Sequence, residues 1–218
     1  CNQCIPVRQG GNDQTADGTL QNPFQTIQAA IDWAATHNGP NNVCVAAGTQ
    51  CGATGTYANA NNQPVTMADG VSVLGNYESN NWTRCTNSTT VIQPKTAAGV
   101  TFPDTVQSPT VLDGFRIDRF QATTTAAVTV DGATGALLSN LTINNTPNVT
   151  NSYGVNIING GDAKITRSRI DAGFGEGDAI SAVIGAHPQL QNAVNVKIPF
   201  VLHDQAALFE VLNREAEA

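Results

Sequence analysis

The apolar positions of this chain change rhythm once, near residue 40. Before that point Phe24, Ile27, Ile31 and Ala34 or Ala35 recur at helical spacing, while Gln25, Gln28 and Asp32 take the opposite side, so one apolar stripe must lie against something else. Asn22 is a good N-cap, Pro23 suits the first helical position, and Gln25 stands three residues after the cap, as in a capping box. The pattern predicts a helix from Pro23 to about Thr36, stopped at His37-Asn38-Gly39-Pro40.

Beyond it the apolar positions come in short β-branched runs separated by Gly, Asn and Asp, among them NVCVAAG, AAVTV, YGVNII and AISAVIG, with no long helical pattern between them. Three runs superimpose. LDGFRID from Leu112, LSNLTIN from Leu138 and ITRSRID from Ile165 start 26 and then 27 residues apart. A period in the twenties built of strands and turns marks a β-solenoid, in which each coil stacks on the last. Leucine-rich repeats share the period but need a Leu and Asn framework and a helical return, and both are missing.

The expected fold is therefore all-β, a right-handed parallel β-helix forming one domain. A loop and capping helix occupy residues 1–40, roughly six turns fill 41–199 at this period, and a helical cap closes 200–218. In that last segment Asp204 can cap a helix from Gln205 to about Asn213, with Leu208, Val211 and Leu212 on one face. Both caps answer the same need, since an open solenoid end exposes unpaired backbone. Stacking also predicts columns. Ile117, Ile143 and Ile170 should form one internal ladder and Leu112, Leu138 and Ile165 a second, with Arg116, Thr142 and Arg169 pointing outward.

Composition narrows the function. The 17 acidic and 10 basic side chains give a net charge of −7 and the basic residues are dispersed, which argues against a nucleic-acid partner. No apolar run is long enough to cross a bilayer. Asn, Thr, Gln, Ser and Gly dominate the polar positions, as suits neutral β-surfaces, and favour a secreted or outer cell-surface protein.

The five cysteines fall in the first 85 residues without zinc-site spacing. Cys4, Cys44, Cys51 and Cys85 are read as disulfide partners of undetermined connectivity, although Cys44 and Cys51 flank a short loop that a bridge between them could close. Cys1 is the odd one. A processed bacterial lipoprotein begins at a lipidated cysteine, but an arbitrary starting point is the simpler reading. Five Asn-x-Ser/Thr sequons, at Asn81, Asn87, Asn140, Asn144 and Asn148, are what so Asn- and Thr-rich a chain makes by chance.

Gly11-Asn12-Asp13, Asp17-Gly18-Thr19, Pro23-Phe24, Thr26-Ile27 and Ala29-Ala30-Ile31, followed by VCVAAGT from Val43, resemble the N-terminal lead-in of pectin-lyase-like right-handed β-helix proteins. The likeness covers about forty residues and implies the same fold. It leaves the activity open, because polysaccharide lyases, glycoside hydrolases, surface proteins and adhesins share that fold. The Asn-Thr-Asp, Asp-Asp, Gly-His-Gly and Arg-Ile-Lys motifs of polygalacturonase-type hydrolases are all absent. Calcium-dependent pectate lyases need clustered carboxylates and an Arg or Lys base, and the nearest approach is Asp162, Lys164, Arg167, Arg169, Asp171, Glu176 and Asp178.

Arg116, Lys164, Arg167 and Arg169 are candidates for a cationic strip that binds an acidic polysaccharide along the solenoid, set against ordinary solvated charge. Asp118 and Asp171, two coils apart, would stand about 9.6 Å from each other, within reach of an inverting glycosidase pair. Turn residues in a ladder explain them more simply. Asp13 and Asp17 are weak candidates for calcium, with turn formation the simpler role. His37, His187 and His203 have no nucleophile or metal-ligand partner at motif spacing. The expectation is a non-catalytic module, structural, adhesive or glycan-binding, needing no cofactor; a lyase or hydrolase of the same fold is the alternative.

Overall fold

A computed structural model describes residues 4–38, 41–58, 63–93, 98–119, 126–145, 153–171, 180–182 and 189–191. Cys1, Glu176, Asp178, His187, His203 and the helix expected at 205–213 lie outside the described residues.

The chain is a right-handed parallel β-helix in which, among the described residues, five successive coils each give one strand to each of three sheets and the first sheet has one further strand at each end. The first sheet is seven-stranded: β1 (Ile5–Val7), β2 (Asn42–Gly48), β5 (Ser72–Glu78), β8 (Thr110–Asp113), β11 (Ala136–Ser139), β14 (Ala163–Thr166) and β17 (Gln189–Gln191). The second contains β3 (Thr54–Tyr57), β6 (Thr89–Ile92), β9 (Phe115–Arg119), β12 (Thr142–Asn145) and β15 (Arg169–Asp171). The third contains β4 (Val65–Thr66), β7 (Val100–Phe102), β10 (Ala126–Asp131), β13 (Tyr153–Ile158) and β16 (Ile180–Ala182).

Both expected ladders form. Leu112 pairs with Leu138 and Leu138 with Ile165, and the column runs back through Val73 and Val43 to Ile5. Ile117, Ile143 and Ile170 stack in register and extend to Ile92. These side chains are buried, so each coil closes its interior on the apolar atoms above and below it. A third column, Val65, Val100, Val128 and Val155, completes the triangular core.

The helix α1 (Ile27–Thr36) covers the first coil, burying Ile27, Ala30, Ile31 and Ala34 against it. Its start differs from the expected capping box. Thr26 is the N-cap, its hydroxyl accepting from Ala29 N at 3.3 Å, and residues 22–25 lie outside the helix. The reason is competition from the sheet: Phe24 N donates to Pro6 O (2.9 Å) and Phe24 O accepts from Arg8 N (3.0 Å), which draws Pro23 and Phe24 alongside β1. Asp13 fixes the helix entry instead. Its Oδ1 accepts from Gln25 N (2.7 Å) and Thr26 N (3.0 Å), and its Oδ2 from the Thr26 hydroxyl (2.8 Å). Asp17 folds the preceding loop by accepting from Thr19 N (2.9 Å) and Asn22 Nδ2 (2.8 Å).

The exposed edges of the first coil are blunted by amide side chains. Gln28 accepts from Thr66 N at 2.8 Å and donates to Thr66 O at 3.2 Å, imitating a strand beside β4, while Gln9 donates to Thr56 O of β3 at 2.8 Å. Two disulfides form, Cys4–Cys44 and Cys51–Cys85, so the short Cys44–Cys51 closure does not. Cys44 sits within β2 facing Cys4, whereas Cys51 lies in a turn beside the loop that carries Cys85.

Candidate functional site

The loop between β5 and β6 folds back over the outer face of the first sheet. Trp82 packs there on Cys4, Cys44 and Ala46. Glu78, 4 % exposed, ties the turn by accepting from Asn80 N (2.8 Å), Asn81 N (3.0 Å) and Thr83 N (3.2 Å). Burial pushes its carboxyl up, but these hydrogen bonds outweigh it and hold it below its ordinary value. With Cys85 bridged to Cys51, the loop delivers Arg84 to the corner between the first and second sheets.

At that corner Arg84 is ion-paired with Asp113 and donates to Gly75 O at 3.1 Å. The other oxygen of Asp113 accepts from Asn140 Nδ2 at 2.7 Å in the next coil. Asn140 Oδ1 in turn accepts from Arg167 Nε (3.0 Å), and Arg167 Nη2 donates to Ser139 Oγ (3.0 Å). Four successive coils are thus joined by one line of side chains, Arg84–Asp113–Asn140–Arg167. Gly114, Asn140 and Arg167 all turn this corner with positive φ, at 79°, 50° and 47°. A Cβ on Gly114 would run into the Arg84 guanidinium, which is why the corner is glycine in that coil.

The same arrangement recurs along β9. Asp118 accepts from Arg116 Nε at 2.7 Å and from Asn144 Nδ2, again one coil on, at 2.9 Å. In both pairs the carboxylate is covered and the arginine is not: side-chain exposure is 38% for Arg84 against 10% for Asp113, and 39% for Arg116 against 9% for Asp118. An approaching solute therefore meets guanidinium groups rather than carboxylates.

Of the four expected cations, the structure brings Arg116 and Arg169 into one outward column through Thr142, with Arg167 at the adjoining corner. Lys164 is exposed on the outer face of the first sheet, apart from that column. Arg84 belongs to the cluster although nothing local in its sequence marks it. Asp118, Asn144 and Asp171 are in register, but the carboxylate of Asp118 is already engaged.

Elsewhere the charge is opposite. Asp69, Asp104, Asp131 and Asp162 line the connections between the third and first sheets, where the described residues contain no Lys, Arg or His. The outer column of the third sheet is neutral, running Thr66, Thr101, Thr129 and Asn156. A cleft of about 150 Å³ lined by Arg8, Gln9, Ala46, Gly48, Thr49 and Ser79 lies near the first coil, below the volume usual for small-molecule sites. Among the described residues no three His, Cys, Asp or Glu side chains gather as a metal-binding group, and no helix is long and apolar enough to cross a membrane. His37 stacks on Trp33, with ring centroids 4.1 Å apart, and its Nδ1 lies 2.8 Å from Trp33 O.

Stacked parallel coils, an N-terminal helical lid and a guanidinium-lined corner define the class as a right-handed parallel β-helix with a polar surface. Residues 9–201 match the family described as protein of unknown function (DUF1565), and the chain belongs to that family. No curated protein and no solved structure matches it.

Proposed function

We propose that this protein is a secreted or cell-surface β-helix module that binds an acidic polysaccharide without cleaving it. The observation that carries this reading is the pairing of partly exposed arginines with covered carboxylates, one pair at the corner and one along β9, near the exposed Arg169. Guanidinium groups suit carboxylate and sulfate oxygens, and a solenoid offers them at rungs about 4.8 Å apart along an extended ligand. The acidic third-to-first-sheet turns would repel the same ligand, directing it to the basic corner.

Cleavage is the weaker reading. The Asp118 carboxylate is held by Arg116 and Asn144, and the third-sheet face presents Thr and Asn. The lead-in motif's likeness to pectin-lyase-like proteins and the two disulfides both suit an extracellular glycan partner. A glycan array run beside an unsaturated-product assay on pectate, alginate and glycosaminoglycans tests the proposal. Binding to acidic glycans without product is expected. Product release abolished by Arg169→Ala would overturn it in favour of a lyase.

A further inference from the structure

We propose that Asp113 is a positioning residue: it holds two guanidinium groups, those of Arg84 and Arg167, in one anion-binding corner. The inference rests on the acidic-glycan reading above and deepens it.

Three observations carry it. First, one oxygen of Asp113 is ion-paired with Arg84, and the other accepts from Asn140, whose own oxygen accepts from Arg167. Second, the line can be satisfied in only one orientation. A carboxylate only accepts and a guanidinium only donates, so the Asn140 amide must turn its Nδ2 to Asp113 and its Oδ1 to Arg167. Third, Asp113 is covered while Arg84 is partly open and Arg167 is exposed, so the carboxylate orders the site without being met by the ligand. Preorganised donors bind better than mobile ones because less side-chain freedom is lost on binding.

This reading makes a prediction opposite to that of net charge. Asp113→Asn removes a negative charge from a cationic site, which by charge alone would tighten anion binding. If Asp113 acts by positioning, binding weakens instead. Asn140→Gly makes the same cut without altering charge, and glycine accepts the positive φ of that corner.

The experiment titrates the full chain and both variants with an oligogalacturonate, a sulfated oligosaccharide and a methyl-esterified, uncharged galacturonan at constant ionic strength, by calorimetry. Thermal melts of each protein are recorded alongside. Each variant is expected to bind the charged probe roughly three- to tenfold more weakly, with a shallower salt dependence, and Asn140→Gly should retain a near-wild-type melt. The two charged probes distinguish carboxylate from sulfate as the preferred group. A wild type that binds neither, or binds the uncharged polymer equally, overturns the acidic-glycan reading. A wild type that prefers a charged probe, with Asn140→Gly equal to it or Asp113→Asn binding more tightly, overturns the positioning role alone. Should Asp113→Asn fail to fold, Asn140→Gly decides.

Discussion

Gly114→Ala tests the corner from its backbone outward. Gly114 has φ 79°, a conformation in which a Cβ costs about 1–2 kcal/mol. The added methyl would also occupy the space of the Arg84 Nη2, with Arg84 Cζ at 3.4 Å and Asn76 Nδ2 at 3.3 Å. The Arg84 guanidinium would have to shift off Asp113, whose side chain is 10% exposed and would keep Asn140 as its side-chain partner, at a further cost of about 1–3 kcal/mol. The total is about 2–5 kcal/mol in the wild-type background. In an Arg84→Ala background the second contribution is already spent, so Gly114→Ala should cost about 1–2 kcal/mol. Urea unfolding followed by tryptophan fluorescence gives all four corners of the cycle. Gly114→Asn is the control, because asparagine takes the same conformation at Asn140 but still meets Arg84. Equal cost of Gly114→Ala in both backgrounds would refute the argument that Arg84 is why this corner is glycine.

Three further outcomes follow from the packing. Removing the Cys51–Cys85 bridge by double serine substitution reopens a span of 34 residues and should cost about 4 kcal/mol on the loop-entropy account, measured by chemical denaturation; it should also weaken acidic-glycan binding, because Arg84 rides on that loop. Ile143→Ala, in a wholly buried rung between Ile117 and Ile170, should cost about 3 kcal/mol, whereas outward Thr142→Ala in the same strand should change stability by less than about 0.5 kcal/mol. Because the Glu78 carboxyl titrates below its ordinary value, its contribution is present above the unfolded-state pKa and is lost as pH falls through the folded one; the stability gap between wild type and Glu78→Gln should therefore be full at neutral pH and begin to close as pH falls below the ordinary glutamate value of about 4.3.

The regular coils were legible in the sequence and the irregular ones were not, for a physical reason. Leu112, Leu138 and Ile165 are 26 and 27 residues apart because no long insertion falls between their strands. Val43 and Val73 occupy the same column, yet Val73 and Leu112 are separated by the loop that folds over the first sheet, and that insertion hides the period. The helix was visible from its apolar stripe, while its true start depends on Asp13 and on the pairing of Phe24 beside β1, neither of which is a local helix signal. Disulfide connectivity depends on which strands stack, so no spacing rule could reach it. At the candidate site Arg116, Arg167 and Arg169 could be read from the repeat, but Arg84 arrives from the inserted loop. Its one sequence trace is indirect: Gly114 occupies the position filled by Asn140 and Arg167 in later coils, a gap that something else must fill.

An acidic glycan lying against the corner between the first and second sheets would be located by backbone amide shift mapping of the full chain during titration with an oligogalacturonate or a sulfated oligosaccharide. The largest shifts should fall at Asp113 and Gly114, from Ser139 to Leu141, and from Thr166 to Arg169. Largest shifts at the Asp69, Asp104 and Asp131 turns, or around the cleft of Arg8, Gly48 and Ser79, would contradict that placement.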